Sequence, residues 1–155
     1  MTTVRHPSSA LWAALLGASL LTGCGGGAER IEVLRVPSPD AALDAVVVQS
    51  SAGATTSFGY FVFLPPHGCA VPSSPVLRVV DSSLNPRASG VHLDWTGPRT
   101  VVVSYLDARF TDPDSGAATT DTVAGPVTVT TRPGSPDPAA APGGMPPRPG
   151  PLPLC

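Results

Sequence analysis

Three groups of side chains have chemistry beyond packing. His92 and Asp94 stand two residues apart in Val91-His92-Leu93-Asp94-Trp95, a spacing that places both on one face of a strand, and Asp107 can join them from across the sheet. An imidazole beside a carboxylate suits general acid–base catalysis, which also requires a pocket shared with a nucleophile or a metal. No Gly-x-Ser-x-Gly elbow or comparable motif accompanies the pair. His67 and Cys69 are two soft ligands where a structural zinc site takes four, and the surrounding sequence supplies no others. Asp112-Pro113-Asp114-Ser115-Gly116 opens like a calcium loop, yet Ala117 stands where the sixth position needs glycine and Val123 where the twelfth needs glutamate. No catalytic, cofactor or metal site is therefore expected, and the His92–Asp94 patch reads as an exposed sheet face.

The hydroxyl-rich stretch around Thr55, Thr56, Ser57 and Tyr60 is the most plausible contact loop, because hydroxyls and an aromatic ring suit polar recognition. Its plainer reading is a packed hairpin loop.

These residues must be positioned by strands. Ile31-Glu32-Val33-Leu34-Arg35-Val36 alternates apolar and charged residues, and the turn Ser38-Pro39-Asp40 follows. The stretch 42–49 contains Val46-Val47-Val48, a β-branched run with both faces covered. Tyr60-Phe61-Val62-Phe63-Leu64, stopped by Pro65-Pro66, is expected to pair with it as a hairpin. A fourth strand runs through Val76-Leu77-Arg78-Val79-Val80. Val91, Leu93 and Trp95 then share one strand face, and Thr96-Gly97-Pro98-Arg99 turns the chain into Val101, Val103 and Tyr105 as a second hairpin. A loop over 111–120 precedes the last strand, Val127-Thr128-Val129-Thr130. No helical period appears after residue 23. The expectation is an all-β domain over 31–131, a small antiparallel sheet or sandwich of about six to seven strands. The Pro-, Gly- and Ala-rich tail over 132–155 has a composition that cannot build a core and is expected to be disordered.

The N-terminus carries Arg5 and His6 and then an apolar run over 10–21. At roughly a dozen residues the run has the length of a signal-peptide helix and falls short of the ~20 needed to span a bilayer. It closes on Leu21-Thr22-Gly23-Cys24, which resembles the lipobox of bacterial lipoproteins. That resemblance implies a signal peptide over 1–23, diacylglycerol on the Cys24 thiol, cleavage before Cys24, and a Gly-rich tether over 24–30. With ~0.8 kcal/mol from each buried CH₂, two or three acyl chains anchor stably without a spanning helix. Gly25 stands where aspartate would retain a lipoprotein at the inner membrane. The resemblance thus implies an outer-membrane protein facing the periplasm in a Gram-negative cell, and the outer side of the single membrane in a Gram-positive one.

The stretch from Ser38-Pro39-Asp40 through Gly53-Ala54-Thr55-Thr56 to Ser104-Tyr105-Leu106-Asp107-Ala108-Arg109 resembles a group of uncharacterised lipoprotein-associated bacterial domains. Their usual glycine after Ser-Pro-Asp is Ala41 here, and the resemblance carries no activity with it. Ser-Pro-Asp also opens β-propeller blades, but this chain is too short for the four or more blades, of about 40 residues each, that a propeller needs.

Composition narrows the partners. The 155 residues carry a net charge of −2, and all nine basic residues are Arg, so no basic field for nucleic acid exists. Once Cys24 carries lipid, Cys69 and Cys155 are the thiols left in an oxidising compartment. They either bridge, fastening the tail to the domain, or leave Cys155 free or paired between molecules. The expected protein is a lipid-anchored envelope component, non-enzymatic, with a binding or assembly role toward an envelope protein. The alternative is a small periplasmic hydrolase using His92 with Asp94 or Asp107.

Overall fold

The computed structural model describes residues 28–51, 53, 58–82, 90–112, 116–135, 145–149 and 155. The expected signal peptide over 1–23, Cys24, Thr55, Thr56 and Ser57 lie outside them. Among the described residues the chain is all-β, with nine strands in two sheets. No helix in them is long and apolar enough to cross a membrane.

The first sheet contains β1 (Glu29–Pro37), β2 (Asp44–Ser51), β3 (Phe58–Phe63), β4 (Leu77–Ser82) and β7 (Phe110–Asp112), in the order β1-β2-β3-β4-β7 and antiparallel throughout. The second contains β5 (Val91–Gly97), β6 (Thr100–Tyr105), β8 (Ala117–Thr122) and β9 (Gly125–Arg132), in the order β5-β6-β9-β8. The two expected hairpins, β2–β3 and β5–β6, are both present.

Two features depart from the sequence reading. The stretch 111–120, expected as a loop, contributes to both β7 and β8, so the described residues hold nine strands rather than the expected six to seven. The sheet is also not wholly antiparallel, because β9 inserts between β6 and β8 and pairs parallel with β6, Val101 opposite Val129. Parallel neighbours need a long crossover rather than a turn. Here β7 and β8 provide it, so the crossover is itself structured.

Valine side chains from both sheets meet in one core. Val47, Val62 and Val79 from the first sheet pack with Leu93, Val101, Val103, Val127 and Val129 from the second, all of them buried. Burial of such residues stabilises by roughly 1.5–3 kcal/mol each, and β-branched side chains pack well on pleated surfaces. Trp95 joins the sheets at one margin by donating its indole N–H to the Val36 carbonyl at 3.0 Å. Val46, Val48 and Phe63 project from the opposite face of the first sheet into a second cluster, which Phe61 and Val71 help cover. Both faces of β2 are thus buried, as its unbroken β-branched run led us to expect.

Candidate functional site

A register shift in β1 places charged residues together. Residues three apart normally lie on opposite faces of a strand. Between Glu32 and Leu34 the pairing with β2 slips by one, so Glu32 opposes Val48 and Arg35 opposes Val46. The bulged Val33 therefore brings Glu32 and Arg35 onto the same outer face as Asp44. Arg35 forms a two-pronged pair with Glu32, Nε to Oε1 at 2.9 Å and Nη2 to Oε2 at 2.8 Å. Its Nη1 donates to Asp44 Oδ2 at 2.7 Å and to the Cys69 carbonyl at 3.1 Å.

The Asp44 side chain is 1% exposed, so its charge must be compensated. Besides Arg35, it accepts from the Gly68 N–H at 2.9 Å, and His67 Nδ1 lies 2.8 Å from Oδ1. A carboxylate only accepts, so Nδ1 carries the proton. Burial alone would raise the Asp44 carboxyl, but the hydrogen bonds from His67, Gly68 and Arg35 outweigh it and hold the group below the usual carboxylate range. Glu32 follows the same pattern, with burial opposed by Arg35 and Arg148, and is also lowered.

This network fastens two segments onto the sheet. The first is the β3–β4 connection, where the Asp44 N–H donates to the Pro65 carbonyl at 3.0 Å and the His67 N–H to the Ala42 carbonyl at 3.1 Å. The second is the C-terminal stretch 145–149, which acts as a strap. Arg148 donates Nε to Glu32 Oε1 at 2.6 Å and its backbone N–H to the Glu32 carbonyl at 2.9 Å. The Met145 N–H donates to Gln49 Oε1 at 2.8 Å, and the Met145 sulfur accepts from the Val91 N–H at 3.5 Å. Cys69 and Cys155 are disulfide-bonded, with Cα atoms 4.9 Å apart. At 145–149 and 155 the Pro-rich tail is thus joined to the domain rather than loose.

The fastened connection forms one wall of an open groove of about 640 Å³. That wall consists of Leu64, Pro65, Pro66, Ala70, Pro72, Ser74, Pro75 and Val76, and Thr120, Asp121, Thr122 and Val123 face it from the end of β8. The second wall is also held in place. The β8–β9 turn closes through Thr122 Oγ1, which donates to the Gly125 carbonyl at 2.6 Å and accepts from the Ala124 N–H at 3.2 Å. Arg99 donates Nε to the Ala124 carbonyl at 3.0 Å and Nη1 to Asp40 Oδ2 at 2.8 Å, tying this turn to the Ser38-Pro39-Asp40 turn. Val123 is left 80% exposed at the rim, the largest exposed apolar side chain among the described residues.

The residues singled out by sequence lie elsewhere. His92 and Asp94 project from the exposed face of β5 with side chains 59% and 55% exposed, Nε2 lying 3.4 Å from Oδ1. Asp107 follows β6, beyond the Val91–Tyr105 pair that ends the β5–β6 ladder. Tyr60, expected on a contact loop, is fully buried, and its hydroxyl has no hydrogen-bond partner among the described residues. Burial pushes its phenol up to about 12. That part of the expected contact surface is corrected, because alternation along β3 turns Tyr60 inward with Val62. Asp112 ends β7 with its carboxylate 4.0 Å from Arg78 Nη1, and 113–115 fall outside the described residues. Among the described residues no three His, Cys, Asp or Glu side chains gather where they could hold a metal ion. The groove itself escaped the sequence reading, since it joins segments some fifty residues apart; its local signal was the proline spacing over 65–75.

The chain matches no known family model, no curated protein and no solved structure.

Proposed function

We propose that this is a lipid-anchored, exported binding module that presents the groove between the β3–β4 connection and the β8–β9 turn to an envelope protein. The observation that carries the reading is the groove: two walls fixed by hydrogen bonds and lined mainly by proline, valine and leucine. Binding sites are mostly concave, apolar and preformed, with a few polar groups for orientation. Rigid walls reduce the ordering cost of association. The lipobox-like Leu21-Thr22-Gly23-Cys24 supports the anchor, and the Cys69–Cys155 bond is of a kind that persists outside the cytosol. The hydrolase alternative has no support in the exposed placement of His92 and Asp94.

The anchor is tested by the intact mass of protein extracted from membranes, with and without globomycin. The expected species is residues 24–155 plus acyl chains, replaced under globomycin by a precursor that retains the signal. An unlipidated soluble form would remove the anchor. The groove is tested in intact cells with a photoreactive amino acid at Val123 and, for comparison, at Asp94 on the β5 face. Adducts with an envelope protein from Val123 alone are expected; adducts from Asp94 alone would move the binding surface to β5.

A further inference from the structure

We infer that the partner binds as an extended peptide added to the β8 edge, with alternate apolar side chains entering the groove and a basic one beside Asp121. The inference rests on the groove reading above and specifies its mode.

Among the described residues four strands, β1, β7, β5 and β8, form the edges of the two sheets, and they are treated differently. An exposed edge is a template for another strand unless something blunts it. β1 receives the Arg148 N–H on its Glu32 carbonyl, and the β5 Val91 N–H reaches the Met145 sulfur. β7 is only three residues long. β8 is six residues long, pairs with β9 without a register shift, and contains neither proline nor a basic residue. The Gly116 carbonyl accepts from the Thr131 N–H of β9 at 2.7 Å. By antiparallel alternation Ala118, Thr120 and Thr122 also face β9 with their backbone groups, so the N–H and C=O of Ala117, Thr119 and Asp121 point outward from the sheet.

Side-chain direction links this edge to the groove. Thr120 lies opposite buried Val127, and Ala118 opposite buried Val129, so the even-numbered positions of β8 occupy the core-side face. A strand added beyond β8 continues that face, and every second side chain of it then projects over the groove toward Pro72, Pro75 and Val76. This is peptide recognition by strand addition: the backbone supplies hydrogen bonds and alternate pockets supply specificity. A second copy of β8 would offer only Ala118, Thr120 and Thr122 to the space, side chains too small and too hydroxylated for an apolar groove of about 640 Å³. Among the described residues Asp121 is the only charged residue at the groove, which favours a partner residue of positive charge beside it.

The probe is the capped peptide Thr-Val-Arg-Leu-Thr-Val-Ser, titrated into the isotope-labelled full-length protein in detergent micelles, alongside a version with Glu for Arg. Chemical-shift changes and slowed amide exchange are expected at Ala117, Thr119 and Asp121, with the Glu peptide binding about tenfold more weakly. Proline is tolerated where an edge N–H faces away from the sheet, so Thr119→Pro should keep the native spectrum and lose about tenfold in affinity. Asp121→Arg should reverse the preference between the two peptides, which keeps the test open if Thr119→Pro disturbs the strand. Binding that survives Thr119→Pro but is lost in Val123→Asp overturns strand addition and leaves the groove reading standing. Absence of shifts at both β8 and the groove, at millimolar peptide, overturns both.

Discussion

The two margins of the sandwich meet solvent in opposite ways. Along β1, Glu32, Arg35, Asp44, His67 and Arg148 form a continuous chain of ion pairs and hydrogen bonds, and Cys69, whose carbonyl accepts from Arg35, is disulfide-bonded to Cys155. Along β8, the described residues present only exposed Ala117 and Thr119 and the single charge of Asp121. One margin is held by compensated charge and the other is left plain. The difference shows how a small domain can shape a groove from behind: the connection that walls it is anchored on the far side of the sheet by Asp44.

Breaking the fastened margin should have the largest effect. Cys155→Ser opens a loop closed over a sequence separation of 86 residues, for which chain entropy gives a loss of about 4.5 kcal/mol. Urea unfolding with and without reductant measures it, and amide exchange at Val91 should rise while β9 stays protected. Reductant that leaves the wild-type midpoint unchanged would contradict the fastening. Asp44→Ala leaves Arg35 buried beside an empty position and should cost about 3 kcal/mol, again by urea midpoint.

Acid should find the same margin. Asp44 and Glu32 have carboxyls lowered from ordinary values of 3.8 and 4.5, so the folded state binds fewer protons than the unfolded one. The stability they contribute is present above those ordinary values and is lost as pH falls through the lowered ones. A pH series of midpoints should therefore drop below about pH 4, and more gently in Asp44→Ala. A wild-type profile flat from pH 5 to pH 2 would show that the network contributes nothing, a result at odds with linkage.

Between the margins, Tyr60→Phe should raise stability by about 1 kcal/mol by removing a buried hydroxyl without a partner. With the phenol raised from 10.0 to about 12, its ionisation leaves stability untouched below pH 10 and lowers it as pH climbs toward 12, so the variant should also lose that alkaline decline. Alkaline midpoints of the two proteins that run parallel would count against the assignment. Smallest of all, Val123→Asp at the plain margin should change stability by less than about 0.5 kcal/mol while abolishing the proposed groove binding.

Legibility in the sequence followed contrast between neighbouring residues. Val91-His92-Leu93-Asp94-Trp95 alternates so sharply that its face, partner and turn could all be read, and the structure buries Val91 and Leu93 while exposing His92 and Asp94. Ala117-Ala118-Thr119-Thr120-Asp121-Thr122 has the same geometry with little apolar contrast, so it read as a loop; its three threonines were the available strand signal. Asp44 and His67 are 23 residues apart, and only the fold brings them together. Glu32 and Arg35 depended on a bulge that no sequence period announces. Ala41 has a φ of 51°, in the left-handed region where glycine is at ease. Ala41→Gly should be neutral to mildly stabilising by thermal melting, by up to about 0.5 kcal/mol after the entropy of the unfolded glycine is counted.

The place of β9 sets a timetable. A nascent chain emerges from its N-terminus, so the β5–β6 hairpin forms with one side of β6 bare, and β8 comes next without its neighbour. Only when residues 125–132 arrive can both join a single sheet, in a parallel pairing that must close a long stretch of chain. Half of the sandwich therefore waits for its last strand, and through that interval the valine-rich β6 is the stretch most in need of shelter from other chains.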